Sequence, residues 1–116
     1  MSEAQSVTGT LSIASELTAF QRNILTILAE EARYGLAIKR ELEAYYGTEV
    51  NHGRLYPNLD DLVELDLVEK SELDKRTNQY ELTEKGVDVL LKQYVWEFER
   101  FTADEERAEA LKARLE

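Results

Sequence analysis

A chain of 116 residues, 43% of them hydrophobic, suits one compact domain with an extra helix or two. It has no cysteine, which excludes disulfides, thiolate metal sites and a thiol redox switch, and no apolar run approaches the roughly 18 residues that span a bilayer. Twenty-four acids against fourteen lysines and arginines leave a net charge of −10, the reverse of the basic footprint a nucleic-acid binder usually carries.

Residues 1–16 lack the basic start of a signal peptide and read as a flexible polar tail, so a cytoplasmic location is expected. Thr18 is a good N-cap, and Gln21 three residues on completes a capping box. Phe20, Ile24, Ile27 and Leu28, broadened by Leu25, give the first helix its buried face as far as about Ala32. Arg33-Tyr34-Gly35 is a turn into a second helix, whose buried side is expected from Leu36, Ile38, Leu42 and Tyr45 and whose end is set by Gly47. In the connection Thr48-Glu49-Val50, Val50 is the candidate for a single extended, paired residue.

Asn51 caps a third helix with an apolar stripe at Leu55, Leu59, Leu62, Val63 and Leu65. Pro57 removes a backbone donor near its second turn and should bend it, with Gly53 at the carbonyl the ring would crowd. Leu67–Leu73 and Gln79–Leu82 read as two strands joined by the polar loop 74–78. Thr83 caps a last helical region with an apolar stripe at Val87, Leu90, Leu91, Tyr94, Phe98 and Phe101. Thr102-Ala103-Asp104-Glu105 marks a possible break in it.

The charge is unevenly spread. Residues 1–32 carry −3, residues 33–58 carry +1, and residues 59–69 carry −5 with no base. Residues 70–85 and 86–96 are neutral, and 97–116 carry −3. Two explanations of the acidity stay open on charge alone. A cytoplasm with molar salt selects acid-rich surfaces, and its Debye length of roughly 3 Å screens their repulsion from phosphates. Alternatively, the chain is an acidic adaptor that never touches DNA.

The order helix, helix, helix, strand, loop, strand, helix is that of a winged helix-turn-helix. Tyr34-Gly35, Gly53-Arg54-Leu55-Tyr56-Pro57-Asn58-Leu59 and Tyr80-Glu81-Leu82-Thr83-Glu84-Lys85-Gly86 fall along it in turn. These motifs resemble those of the PadR-like regulators over residues 18–90, in the Tyr-Gly start, the Gly-x-Leu-Tyr-Pro-x-Leu recognition helix and the Tyr-x-Leu-Thr-x-x-Gly close. The resemblance implies a mainly α fold with a small β-hairpin wing, a winged helix-turn-helix plus a long C-terminal dimerisation helix. It also implies a transcriptional regulator. Together with the acidity, the chain is similar to a member from an extreme halophile that answers reactive oxygen species, which implies a stress-response role.

The residues support this independently. A recognition helix must offer short or polar side chains on its first exposed turns to enter a major groove. Asn51, His52, Arg54 and Asn58 are the expected base contacts: Arg54 can fork onto guanine, and Asn58 can pair with adenine. Tyr56 is expected at the DNA backbone, within whose reach Asn51 also lies. Lys39 and Arg40 are expected on flanking phosphates, with Lys75 and Arg76 at the wing tip. The acids of this helix begin only at Asp60.

The domains are then a tail (1–16), a DNA-binding unit (17–86) and a C-terminal dimerisation region (87–116). The stripe from Val87 to Phe101 runs past anything one winged helix can cover, so a second copy is the expected partner, with Leu11 and Ile13 contributing. A dimer would present two recognition helices to a pseudo-palindromic site on double-stranded DNA. The seam near Tyr94 and Trp96 is a candidate effector pocket for an unknown ligand. His52, the only histidine, has no partner for a metal, so neither a metal nor a cofactor is expected. No nucleophile–base pair or phosphate loop suggests an enzyme. A winged-helix protein–protein module that does not bind DNA is the alternative.

Overall fold

The computed structural model describes residues 13–74 and 77–116. A helical turn at residues 13–16 precedes α1 (Ala19–Glu30), β1 (Arg33–Tyr34), α2 (Gly35–Tyr46) and α3 (His52–Glu64). The wing strands β2 (Val68–Asp74) and β3 (Thr77–Leu82) follow, then α4 (Glu84–Phe101) and α5 (Glu105–Leu115). The sheet is antiparallel with order β1-β3-β2, so β3 is central. This is the winged helix-turn-helix plan.

The local start signals act as expected. The Thr18 hydroxyl accepts from the Gln21 N–H while the Gln21 side chain accepts from the Thr18 N–H, both at 3.1 Å. The Asn51 side chain caps α3 by accepting from the Arg54 N–H at 2.9 Å, and Gly47 ends α2 in the left-handed region. Each cap satisfies backbone donors or acceptors that helix geometry orphans. α3 runs continuously through Pro57. The last helical region does break, with Thr102 closing α4 and Asp104 capping α5 through the Arg107 N–H.

The core gathers Phe20, Ile24, Leu25 and Leu28 of α1, Ile38 and Leu42 of α2, and Leu55, Leu59 and Leu62 of α3. Val50, Leu67, Val68, Tyr80, Val89 and Leu90 complete it. Each fully buried leucine or isoleucine contributes about 1.5–3 kcal/mol relative to exposure, which makes this cluster the main term holding the three helices together.

Five expectations are corrected. The sheet's third strand is Arg33–Tyr34, pairing with Tyr80 and Gln79, and Val50 is instead a buried core residue whose N–H donates to the Glu43 carboxylate at 2.9 Å. Tyr45 is 71% exposed and Leu36 is half exposed. The buried stripe of α2 is Ile38, Leu42 and partly Tyr46, four residues apart; Leu36 and Tyr45 fall off that line, as does Leu65, exposed at the end of α3. The tail also begins to pack before residue 17: Ala14 is buried, with Ile13 and Leu17 against the core. Leu11 lies outside the described residues.

The junction between α3 and the wing explains the Leu-Thr-x-x-Gly motif. Asp66 adopts φ 63°, and the N–H groups of Asp66 and Leu67 donate to Val63 and Leu62 carbonyls, a Schellman close. The Thr83 hydroxyl accepts from the Gly86 N–H and donates to the Asp66 carbonyl at 2.7 Å, joining the start of α4 to the end of α3. A Cβ at Gly86 would stand 2.3 Å from the Leu67 carbonyl oxygen, so only glycine fits this approach.

Candidate nucleic-acid interface

On α3 the buried line is Leu55, Leu59 and Leu62, which turns Gly53, Pro57, Asp60, Asp61 and Glu64 outward. The exposed face therefore has two halves. Its N-terminal half is a low ridge of Gly53 and Pro57, flanked by Arg54 and Asn58 on one side and His52 and Tyr56 on the other. Its C-terminal half is acidic. Helical periodicity makes the sharp boundary at Asp60 physical: the first two turns can approach a polyanion that the last turn repels.

Several expected contact residues are already engaged. The Arg54 guanidinium lies flat over the Phe20 ring, 3.9 Å from its centroid, and 5.8 Å from that of Tyr46. Phe20 and Tyr46 stack on each other at 6.0 Å, and the Tyr46 hydroxyl accepts from the Asn23 amide at 2.9 Å. Asn58 donates its side-chain amide to the Arg54 carbonyl at 2.7 Å, and Asn51 spends its side-chain oxygen on the cap. His52 stacks on Tyr56 with ring centroids 5.5 Å apart. Arg54, Asn58 and Asn51 thus share one side of the helix, with His52 and Tyr56 on the other.

Tyr56 also sets how α2 meets α3. Its hydroxyl would lie 2.7 Å from a Cβ at Gly35, so the Tyr-Gly start leaves room for this ring. Lys39 pairs with Glu43 at 3.2 Å, while Arg40 is exposed. Glu43 is a residue that sequence reasoning missed. Its carboxylate accepts from the Val50 N–H and from Lys39, bridging α2 to the turn before α3. The Val50 hydrogen bond first, and then Lys39, hold its pKa below the ordinary value. An i, i+4 Lys-Glu pair gives no hint of this bridge. Lys75 and Arg76 lie outside the described residues, although β2 and β3 run up to them on either side.

The C-terminal stripe divides. Leu90, 4% exposed, belongs to the chain's own core, and Tyr94 is partly buried with its hydroxyl 2.8 Å from Thr26. Val87, Leu91, Phe98 and Phe101 are about half exposed, and Val95 joins them. Trp96, off that line, is half exposed beneath the Arg100 guanidinium at 4.2 Å. An Arg22–Glu97 pair at 2.6 Å fixes α4 against α1. Hydrogen bonding from Gln93 first, then Arg22, keeps Glu97 below its ordinary pKa. Among the described residues no cluster could hold a metal ion, and no helix is long and apolar enough to cross a membrane.

Comparison with known proteins agrees with this architecture. Residues 24–92 match the transcriptional regulator PadR-like family. The chain is 63% identical to RosR of Halobacterium salinarum in the complex designated RosR-S4, over 91% of this chain and 92% of that one, with a TM-score of 0.89. RosR from crystals grown from NaBr gives 65% identity over 88% of this chain and 93% of that one, with a TM-score of 0.86. ZitR of Lactococcus lactis, a zinc-responsive MarR family member, is more remote: 28% identity over 84% of this chain and 71% of that one, TM-score 0.56. No curated protein matches the chain. A winged helix whose Tyr-Gly, Gly-x-Leu-Tyr-Pro and Leu-Thr-x-x-Gly motifs each have a packing reason, matched over residues 24–92, belongs to the PadR-like family of DNA-binding transcriptional regulators.

Proposed function

We propose that the chain acts as a homodimer on a pseudo-palindromic operator, with α3 of each protomer in a major groove and residues 87–116 forming the seam. The observation that carries this reading is the partition of α3. Its exposed face bears no carboxylate from Asn51 to Asn58 and three from Asp60 to Glu64. Asn51, His52, Arg54 and Asn58 contact bases, with Arg54 leaving its aromatic platform to fork onto guanine. Tyr56, Lys39, Arg40 and the wing-tip Lys75 and Arg76 hold the sugar–phosphate backbone.

The seam is the half-exposed line Val87, Leu91, Phe98 and Phe101, widened by Val95, with Tyr94 at its inner edge. An apolar line of this length is costly to leave in water, and a two-fold copy covers it with the same surface. Similarity to RosR, together with the net charge of −10, supports a regulator working at molar salt in a stress response.

The test is capture of genomic fragments by the full chain in molar KCl, followed by fluorescence anisotropy on the retained sequence and on a scrambled duplex. Selective binding supports the reading. No selective binding at any salt favours a winged-helix protein–protein module, which would account for the acidity without DNA.

A further inference from the structure

Next to α3 lies a concavity of about 470 Å³, between the start of α2 and strand β3 of the wing. Tyr34, Leu36, Tyr56, Thr77, Asn78 and Tyr80 line it, and none of them is charged. Two independent features mark it as a place for an acceptor group. Tyr80 is 1% exposed as a residue, and its hydroxyl, at the wall of the concavity, pairs with no donor or acceptor among the described residues and is reachable from the open side. A hydroxyl left open at a concave surface can exchange water for a ligand acceptor without breaking any internal bond. The first turn of α2, which begins at Gly35 on the same wall, has no side-chain cap, so its N–H groups and dipole end stay unanswered.

The lining also narrows the chemistry. No lining carboxylate is present for a cation, and hydroxyl, amide and orphan N–H donors do not suit a purely apolar ligand. Burial first, then the neighbouring Tyr56 and Asp60, raise Tyr80 above its ordinary 10.0, so the hydroxyl keeps its proton and can donate. The half-exposed Tyr34 and Leu36 offer apolar walls that suit the carbon face of a deoxyribose. The site sits between the recognition helix and the wing, where a duplex strand passing from one to the other must run.

We infer that this concavity seats a backbone phosphodiester of the operator, held by the neutral donors of Tyr34, Tyr56, Asn78 and Tyr80 and by the start of α2. The inference rests on the DNA-binding reading above. Neutral donors release no condensed counterions, whereas each lysine or arginine on a phosphate steepens the fall of affinity with salt. Backbone affinity gained this way survives molar salt, which weakens the contacts of Lys39, Arg40, Lys75 and Arg76.

The test compares wild type and Tyr80→Phe, as full chains, on the captured operator and on scrambled DNA across a KCl series. The variant is expected to lose about ten- to hundredfold in affinity on both duplexes, the size of one hydrogen bond to a charged group, with an unchanged salt slope. Its melting temperature should hold or rise, because it removes only an unpaired hydroxyl, so weaker binding cannot be blamed on misfolding. A single neutral methylphosphonate at the seated linkage should weaken wild type and leave Tyr80→Phe almost unaffected. Unchanged affinity of Tyr80→Phe while wild type binds DNA overturns the seat alone; failure of wild type to bind any DNA overturns the parent reading too. Inorganic phosphate at constant ionic strength should not displace the duplex, and displacement would make this a free-anion site instead.

Discussion

Arg54 offers the most direct separation of stability from recognition. In the free protein its guanidinium rests on Phe20 at 3.9 Å with Tyr46 beyond, a cation–π contact at a partly solvated site worth about 1 kcal/mol. Arg54→Ala should therefore lower the melting temperature by about 3–6 °C for a domain of this size. On the operator the same change removes a guanine fork and should cost roughly 1–3 kcal/mol, or about 5- to 150-fold in affinity, with a much smaller loss on scrambled DNA. Arg54→Met retains much of the side-chain stem over Phe20 and should melt closer to wild type, but lose operator affinity as Arg54→Ala does. Thermal denaturation and anisotropy on the two duplexes read both quantities. Equal fold losses on operator and scrambled DNA would refute the base-reading role and leave Arg54 as a residue that only positions α3 against α1.

Further outcomes follow from other sites. Leu91→Glu, on the half-exposed line of α4, should yield monomers by sedimentation velocity and weaken binding to the two-half-site operator more than to a single half-site. Gly86→Ala would press a methyl against the Leu67 carbonyl and should cost about 1–3 kcal/mol in chemical denaturation. Glu43 and Glu97 both have folded pKa values below 4.5, so their contribution is present above that value and fades as pH falls through the folded values. The double variant Glu43→Gln, Glu97→Gln should accordingly be less stable near neutrality and show a flatter acid limb in melting curves. Lys75→Ala should reduce affinity alike on all sequences and make the salt slope shallower by about one.

What the sequence disclosed tracks how local each cause is. The caps at Thr18, Asn51 and Thr83 lie within three residues of the groups they serve, and the signals suffice; the break near Thr102 is also legible, although the cap of α5 is Asp104 and Thr102 instead closes α4. The core stripes of α1 and α3 follow from their period. Leu36 and Tyr45 were misassigned because residue type was weighed above angular position on α2. β1 is two residues long and has no periodicity, so it exists only because β3 lies beside it. The Arg54 platform needs α1, and Leu90 is covered because α4 packs back on the core. The tyrosine concavity joins residues from positions 34 to 80. Such juxtapositions belong to the tertiary fold and leave no pattern in any short window.

The fit of Tyr56 against Gly35 has a consequence for how regulators of this plan can diverge. A Cβ at position 35 would stand 2.7 Å from the Tyr56 hydroxyl, so a side chain there must push the ring aside and change how the start of α2 meets α3. Changes in which bases are read can accumulate on the surface of α3 without touching that hinge. If α4 forms the proposed dimer seam, changes in the distance between half-sites cannot arise on α3 and should instead be written along α4, where a half-exposed apolar line would slide into a new register against a second copy. Sequence preference and site spacing would then evolve on separate parts of the chain, with a missing methyl group keeping them apart.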